Sequence, residues 1–84
     1  MDRIEISNTI RKLRFEHGEM TQLDLARRTG VTRQTILAIE SGKYSPSLEL
    51  AFRIARVFEL SLEEVFSCRF HEKPVDNPGK AGGT

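Results

Sequence analysis

Residues 22–42 read QLDLARRTGVTRQTILAIESG. Gly30 splits this stretch into two short amphipathic runs. Thr21 is placed to cap the first, with Asp24 three residues on, and Thr32 caps the second. Between them lies a three-residue turn, Gly30-Val31-Thr32, which sets two helices at a steep angle rather than side by side. Gly30 accepts the left-handed backbone that such a turn requires. Ala26, four residues earlier, falls where the two backbones approach, so its small side chain is needed there. Val31, Ile36 and Ile39 follow that glycine at one, six and nine residues and fill the space beneath. Each feature is common alone, but the set specifies two helices joined by a tight turn.

Working outward, Ser7 is a candidate cap for a helix carrying Ile6, Ile10 and Leu13, which Gly18 ends. After Gly42, Lys43-Tyr44-Ser45-Pro46 is a turn, because Pro46 drives the residue before it out of helical geometry. Ser47 caps a fourth helix with Leu48, Ala51, Phe52, Ala55 and Phe58 near one stripe. Ser61 and Glu64 form a capping box that opens a short fifth helix, ending near Phe66. The period then changes. Phe66, Cys68 and Phe70 alternate with Ser67, Arg69 and His71, as in a half-buried strand. From Lys73 on, prolines and glycines give a polar tail without a core-forming face. The expected organisation is a helical domain over 1–66, a strand-like segment over 67–72 and a flexible tail over 73–84.

With 84 residues, 38% of them hydrophobic, the chain has room for one small core. No apolar run approaches the roughly 20 residues of a membrane span. The charged N-terminus is unlike a secretory signal, and the single cysteine, Cys68, excludes a disulfide framework. A cytoplasmic setting is expected. His71 and Cys68 lie three apart, but no second pair completes a tetrahedral metal site. Neither a catalytic triad nor a phosphate-binding glycine loop is present, so no enzymatic activity, metal or cofactor is expected. The net charge of +1 hides an uneven distribution. Between residues 11 and 33, Arg11, Lys12, Arg14, Arg27, Arg28 and Arg33 outweigh Glu16, Glu19 and Asp24. Between 40 and 64 the acidic residues prevail. One half is suited to a polyanion.

The run from Met20 to Lys43, continued by Ser45-Pro46-Ser47-Leu48 and by Ser61-Leu62-Glu63-Glu64-Val65-Phe66, resembles the Cro/repressor-type helix-turn-helix family of prokaryotic and phage regulators. The likeness covers about residues 7–66. It implies an all-α, lambda-repressor-like bundle of five helices and sequence-specific binding of double-stranded DNA. The exposed start of the third helix offers Arg33, Gln34 and Thr35. Arginine grips guanine O6 and N7 with two bonds, and glutamine does the same for adenine. The resemblance makes Arg33, Gln34, Leu37 and Ala38 the base-reading set, with Leu37 suited to a thymine methyl. It assigns Gln22, Ser41, Lys43 and Tyr44 to the phosphates, with Thr32 beside them. It also implies a structural ion pair between Arg14 and Glu40.

A lone strand lacks a bonding partner within the bundle, and unpaired backbone groups are costly when buried. A second copy supplies one, giving a homodimer through Leu62, Phe66, Cys68 and Phe70. The bland option is a tail folded back on its own bundle. A two-fold dimer suits a palindromic operator, and the expected role is a repressor. Two other roles fit the same residues: an antitoxin whose tail holds a toxin protein, and an interaction module without DNA binding.

Overall fold

A computed structural model describes residues 3–71. It comprises a strand β1 (Arg3–Asn8), helices α1 (Ile10–Glu16), α2 (Gln22–Thr29), α3 (Arg33–Glu40), α4 (Leu48–Val57) and α5 (Leu62–Val65), and a strand β2 (Phe66–His71). Four helix starts carry the hydroxyl caps expected from sequence. Thr21 accepts from the Asp24 amide at 3.0 Å, Thr32 from Thr35 at 3.2 Å and Ser47 from Leu50 at 3.1 Å. Ser61 and Glu64 close a capping box, with the Ser61 amide donating to Glu64 Oε1 at 2.8 Å. Each bond satisfies an amide that the first helical turn leaves without a partner.

The core lies between the helices. Ile10 and Leu13 of α1, Leu25 and Ala26 of α2, Ile36 and Ile39 of α3, Ile54 and Ala55 of α4, Phe58 and Val65 are all buried. Gly30 ends α2 at φ 78°, and the amides of Gly30 and Val31 both donate to the Ala26 carbonyl, at 2.9 and 3.0 Å. Those two bonds turn the chain sharply into α3. Gly30→Ala places a Cβ 3.5 Å from the Arg53 guanidinium, so space is not limiting there. The left-handed backbone is limiting, and the substitution is expected to cost about 1–2 kcal/mol in thermal unfolding.

Four sequence expectations need correction. The chain is not all-α, because β1 and β2 form a two-stranded antiparallel sheet. The C-terminal strand therefore has its hydrogen-bonding partner within its own chain. Arg3 pairs with His71, Ile4 with Phe70, Ile6 with Cys68 and Asn8 with Phe66. The reason lies in residues 3–8, where Ile4 and Ile6 alternate with polar neighbours at strand period. Ser7 consequently caps nothing. It lies in β1, where its hydroxyl meets that of Ser67 at 2.7 Å, and α1 begins only at Ile10, whose amide donates to Asn8 Oδ1 at 3.1 Å. The stripe of α4 is also shifted. Leu50, Ala51, Ile54 and Ala55 face the core, while Leu48 and Phe52 are exposed. The tail from residue 73, and residue 72 of the strand segment, lie outside the described residues.

The sheet has two unlike faces, since directly opposed residues project to the same side. Ile4, Ile6, Cys68 and Phe70 share one face. The other carries Arg3, Glu5, Ser7, Ser67, Arg69 and His71. There His71 Nε2 lies 2.8 Å from Glu5 Oε1, and this hydrogen bond, aided by the imidazole charge, holds the Glu5 carboxyl below its usual range. The strand β1 is tied to the bundle at its end. The Asn8 amide side chain donates to the Ile39 carbonyl and the Thr9 backbone amide to the Val65 carbonyl, both at 3.0 Å.

Candidate nucleic-acid interface

The helix α3 is fixed from one side only. Ile36 and Ile39 anchor it in the core, and the helical period turns Arg33, Gln34 and Leu37 outward. Arg33 and Gln34, at its first two positions, are exposed, as are Leu37 one turn later and Ser41 just past the helix. Among the described residues, neither Arg33 nor Lys43 has a carboxylate within ion-pair distance. Leu37 is 45% exposed, an apolar side chain left facing solvent in the middle of this stripe. Ala38 is half-buried. Thr35 is drawn back from the stripe, its hydroxyl 3.0 Å from that of Thr32, and it lines a cleft with Val31, Tyr44 and Ser47. Thr32 itself is exposed at the turn.

The end of α3 is tied into a compact knot. The Ala38 carbonyl accepts from the Lys43 amide at 2.9 Å, the Tyr44 amide at 3.2 Å and the Ser41 hydroxyl at 3.1 Å. Gly42, at φ 80°, permits this reversal. The knot holds Ser41, Lys43 and Tyr44 in the exposed turn that follows α3.

Gln22 opens α2, but its side chain does not hang free. Its Nε2 donates to Glu40 Oε1 at 3.2 Å. Glu40 is the centre of a nearly buried network. Arg14 donates from Nε to Glu40 Oε2 at 2.6 Å and from Nη2 to Oε1 at 3.1 Å, and from Nη1 to the Met20 carbonyl at 2.7 Å. The paired side chains are only 12% and 8% exposed. The network joins α1, the loop before α2, the start of α2 and the end of α3. It thereby sets the position of Gln22 relative to the outward stripe of α3. Arg28 and Asp24 form an exposed pair at 3.3 Å, which adds little stability but leaves basic charge beside Arg27 on α2.

One residue near this surface escaped the sequence reading. Phe15, on the outer side of α1, is 57% exposed, and the Arg11 guanidinium sits 5.9 Å from its ring centre. The four-residue spacing of Arg11 and Phe15 is the only signal the sequence offers for it.

The residues assigned to dimer contact gather elsewhere. Leu62, Phe66 and Cys68 line a shallow depression of about 430 Å³ with Ile6, and Phe70 lies further along the same apolar face, opposite Ile4. Leu62 and Phe66 are half-buried, whereas Cys68 and Phe70 are exposed.

Residues 10–65 match the helix-turn-helix family. Similar proteins carry related descriptions. An uncharacterised helix-turn-helix-type transcriptional regulator of Methanocaldococcus jannaschii is 51% identical over 61 residues, covering 73% of this chain and 91% of that protein. One from Archaeoglobus fulgidus is 53% identical over 57 residues, 68% of this chain and 80% of its own length. One from Bacillus subtilis is 44% identical over 61 residues, 73% of this chain and 91% of its own length.

Proposed function

Because this chain belongs to the helix-turn-helix family of DNA-binding transcription regulators, we propose that it reads a palindromic operator as a homodimer and represses transcription there. The observation that carries this reading is the outward stripe of α3, where Arg33 and Gln34 are exposed and, among the described residues, have no carboxylate partner, on a helix braced by Ile36 and Ile39. A helix of this kind fits the major groove, where each base pair displays a distinct set of donors and acceptors. Arg33 takes guanine, Gln34 takes adenine and Leu37 takes a thymine methyl, with Ala38 and Thr35 at the margin of the contact. Gln22, Thr32, Ser41, Lys43 and Tyr44 hold the phosphates on either side and set the register of the helix.

The homodimer reading is supported by the apolar face of the sheet. An isolated two-stranded sheet is marginal in water, and here Ile4, Ile6, Cys68 and Phe70 lie open on one side. With β2 already paired to β1, no second copy is needed to complete the strand, and the open apolar face is the surface offered to one. A two-fold axis there presents two copies of α3 to half-sites about one helical turn, roughly 34–36 Å, apart. Repression follows simply, because a dimer occupying a promoter excludes polymerase without any further surface.

Binding measured against salt tests the assigned roles. Arg33→Ala is expected to cost about 1–3 kcal/mol and to relax preference at one base pair per half-site. Lys43→Ala is expected to weaken all duplexes evenly and to lower the salt dependence by about 0.9 in log–log slope per phosphate lost. If the two variants behave alike on every duplex, the division between base and phosphate contacts is wrong.

A further inference from the structure

We propose that the notch where α1 meets the C-terminal end of α3 seats one deoxyribose-phosphate unit of the bound duplex, with the sugar against Phe15 and Leu37 and the phosphate on Arg11. This subsite rests on the DNA-binding reading above and extends it from the α3 stripe onto α1. The notch has a volume of about 420 Å³ and is walled by Arg11, Phe15, Gln22, Leu37 and Ser41 over the Arg14–Glu40 pair. Its lining is divided in the way a sugar-phosphate is divided. Phe15 and Leu37 offer apolar surface, 57% and 45% exposed, that the core does not use. Arg11 offers its guanidinium, and Gln22 offers the amide hydrogen that Glu40 does not take.

Location points to the backbone rather than to the bases. The first turn of α3 carries Arg33 and Gln34, while Leu37 and Ser41 lie progressively toward its other end. A helix that enters the groove by its N-terminal half leaves it by the C-terminal half, and an element beside that end meets the groove wall, which is sugar and phosphate. The helix α1 is that element, tied to the end of α3 by Arg14 and Glu40. A bare carboxylate would repel a phosphate here, but Glu40 is not bare. Arg14 engages both its oxygens and Gln22 engages one of them, so the pair is neutral as a unit. The Arg11 guanidinium, 5.9 Å from the Phe15 ring centre, is steered by the ring face to the rim of the notch.

The test uses the full chain and a duplex selected for binding, carrying a neutral methylphosphonate at one backbone position at a time. Wild type is expected to show a position in each half-site where neutralisation weakens binding about tenfold, and Arg11→Ala is expected to be indifferent at that position. Arg11→Ala also lowers the log–log salt slope by about 0.9 per half-site. Phe15→Ala is expected to weaken binding about fivefold through lost apolar contact, with slope and base preference unchanged, and Phe15→Leu to restore most of it. Both side chains are exposed, so thermal unfolding of the variants should match wild type. An Arg11→Ala profile identical to wild type, or a Phe15→Ala protein that binds normally, overturns the subsite while leaving DNA binding intact. A Phe15→Ala defect that disappears when one thymine is replaced by uracil assigns the ring to a base methyl and overturns the sugar contact. Wild type that binds no duplex in a salt-dependent way removes both readings together.

Discussion

Glu40→Ala is expected to lower folding stability by about 3–5 kcal/mol, because it strands a guanidinium in a nearly closed site. Arg14 is 12% exposed and keeps only the Met20 carbonyl once the carboxylate is gone. A buried cation without its counter-charge is far worse than no ion pair at all, since the desolvation remains and the compensating attraction is lost. A domain of this size has only a few kcal/mol to spare, so the variant should be largely unfolded near physiological temperature. Urea or thermal unfolding by circular dichroism measures it. Glu40→Gln, which keeps an acceptor at the same place, should lose less. Replacing both partners together with apolar residues of similar size should recover much of the loss, because no charge is then left alone. If Glu40→Ala unfolds within about 1 kcal/mol of wild type, water solvates the Arg14 guanidinium in place of the carboxylate. In that case the network does not hold α1 against α3.

Ile6→Glu or Phe70→Glu is expected to turn the protein into a monomer and to cut operator affinity by roughly 10²–10⁴, the advantage that linking two half-site contacts confers. Both residues lie on the apolar face of the sheet, where a carboxylate would have to be buried against a second copy. Neither contributes to the helical core, so the monomer should keep its fold. Arg69→Glu, on the opposite face, serves as the control and should leave the assembly unchanged. Sedimentation and binding to full and half operators report the two effects separately. A wild-type protein that sediments as a monomer, or glutamate variants that remain dimeric, would remove this face from the assembly.

Much of the helical domain was legible because its signals are local. Thr21, Thr32, Ser47 and Ser61 each cap a helix within three residues of themselves, and the Ala26–Gly30 spacing sets the turn without reference to distant chain. The strand β1 was not legible in the same way. Ile6, Ile10 and Leu13 satisfy helical spacing, yet only Ile10 and Leu13 belong to a helix. Ile6 pairs with Cys68, sixty-two residues away, and the alternation of Ile4 and Ile6 is too short a local signal to outweigh the helical spacing. The α4 stripe misled for a related reason. Leu48 and Phe52 are apolar and a turn apart, and nothing in the sequence says that their stripe faces outward beside the one that packs. At the interface, the residues at the start of α3 could be chosen from their position alone. Gln22 could be chosen too, but its hydrogen bond to Glu40 depends on how α2 and α3 cross. For Phe15 the four-residue spacing from Arg11 is too weak a signal, because an aromatic on a short helix is ordinarily core.

Selection of bound duplexes from a random pool, run in parallel with wild type and Arg33→Ala, tests most directly whether α3 reads DNA through its outward stripe. Wild type should enrich an inverted repeat whose half-sites are centred about 10 base pairs apart. Each half-site should contain a guanine whose preference is lost in the Arg33→Ala selection, while the rest of the repeat survives. Enrichment of no common sequence by wild type, or an identical repeat from both proteins, would contradict the role given to α3.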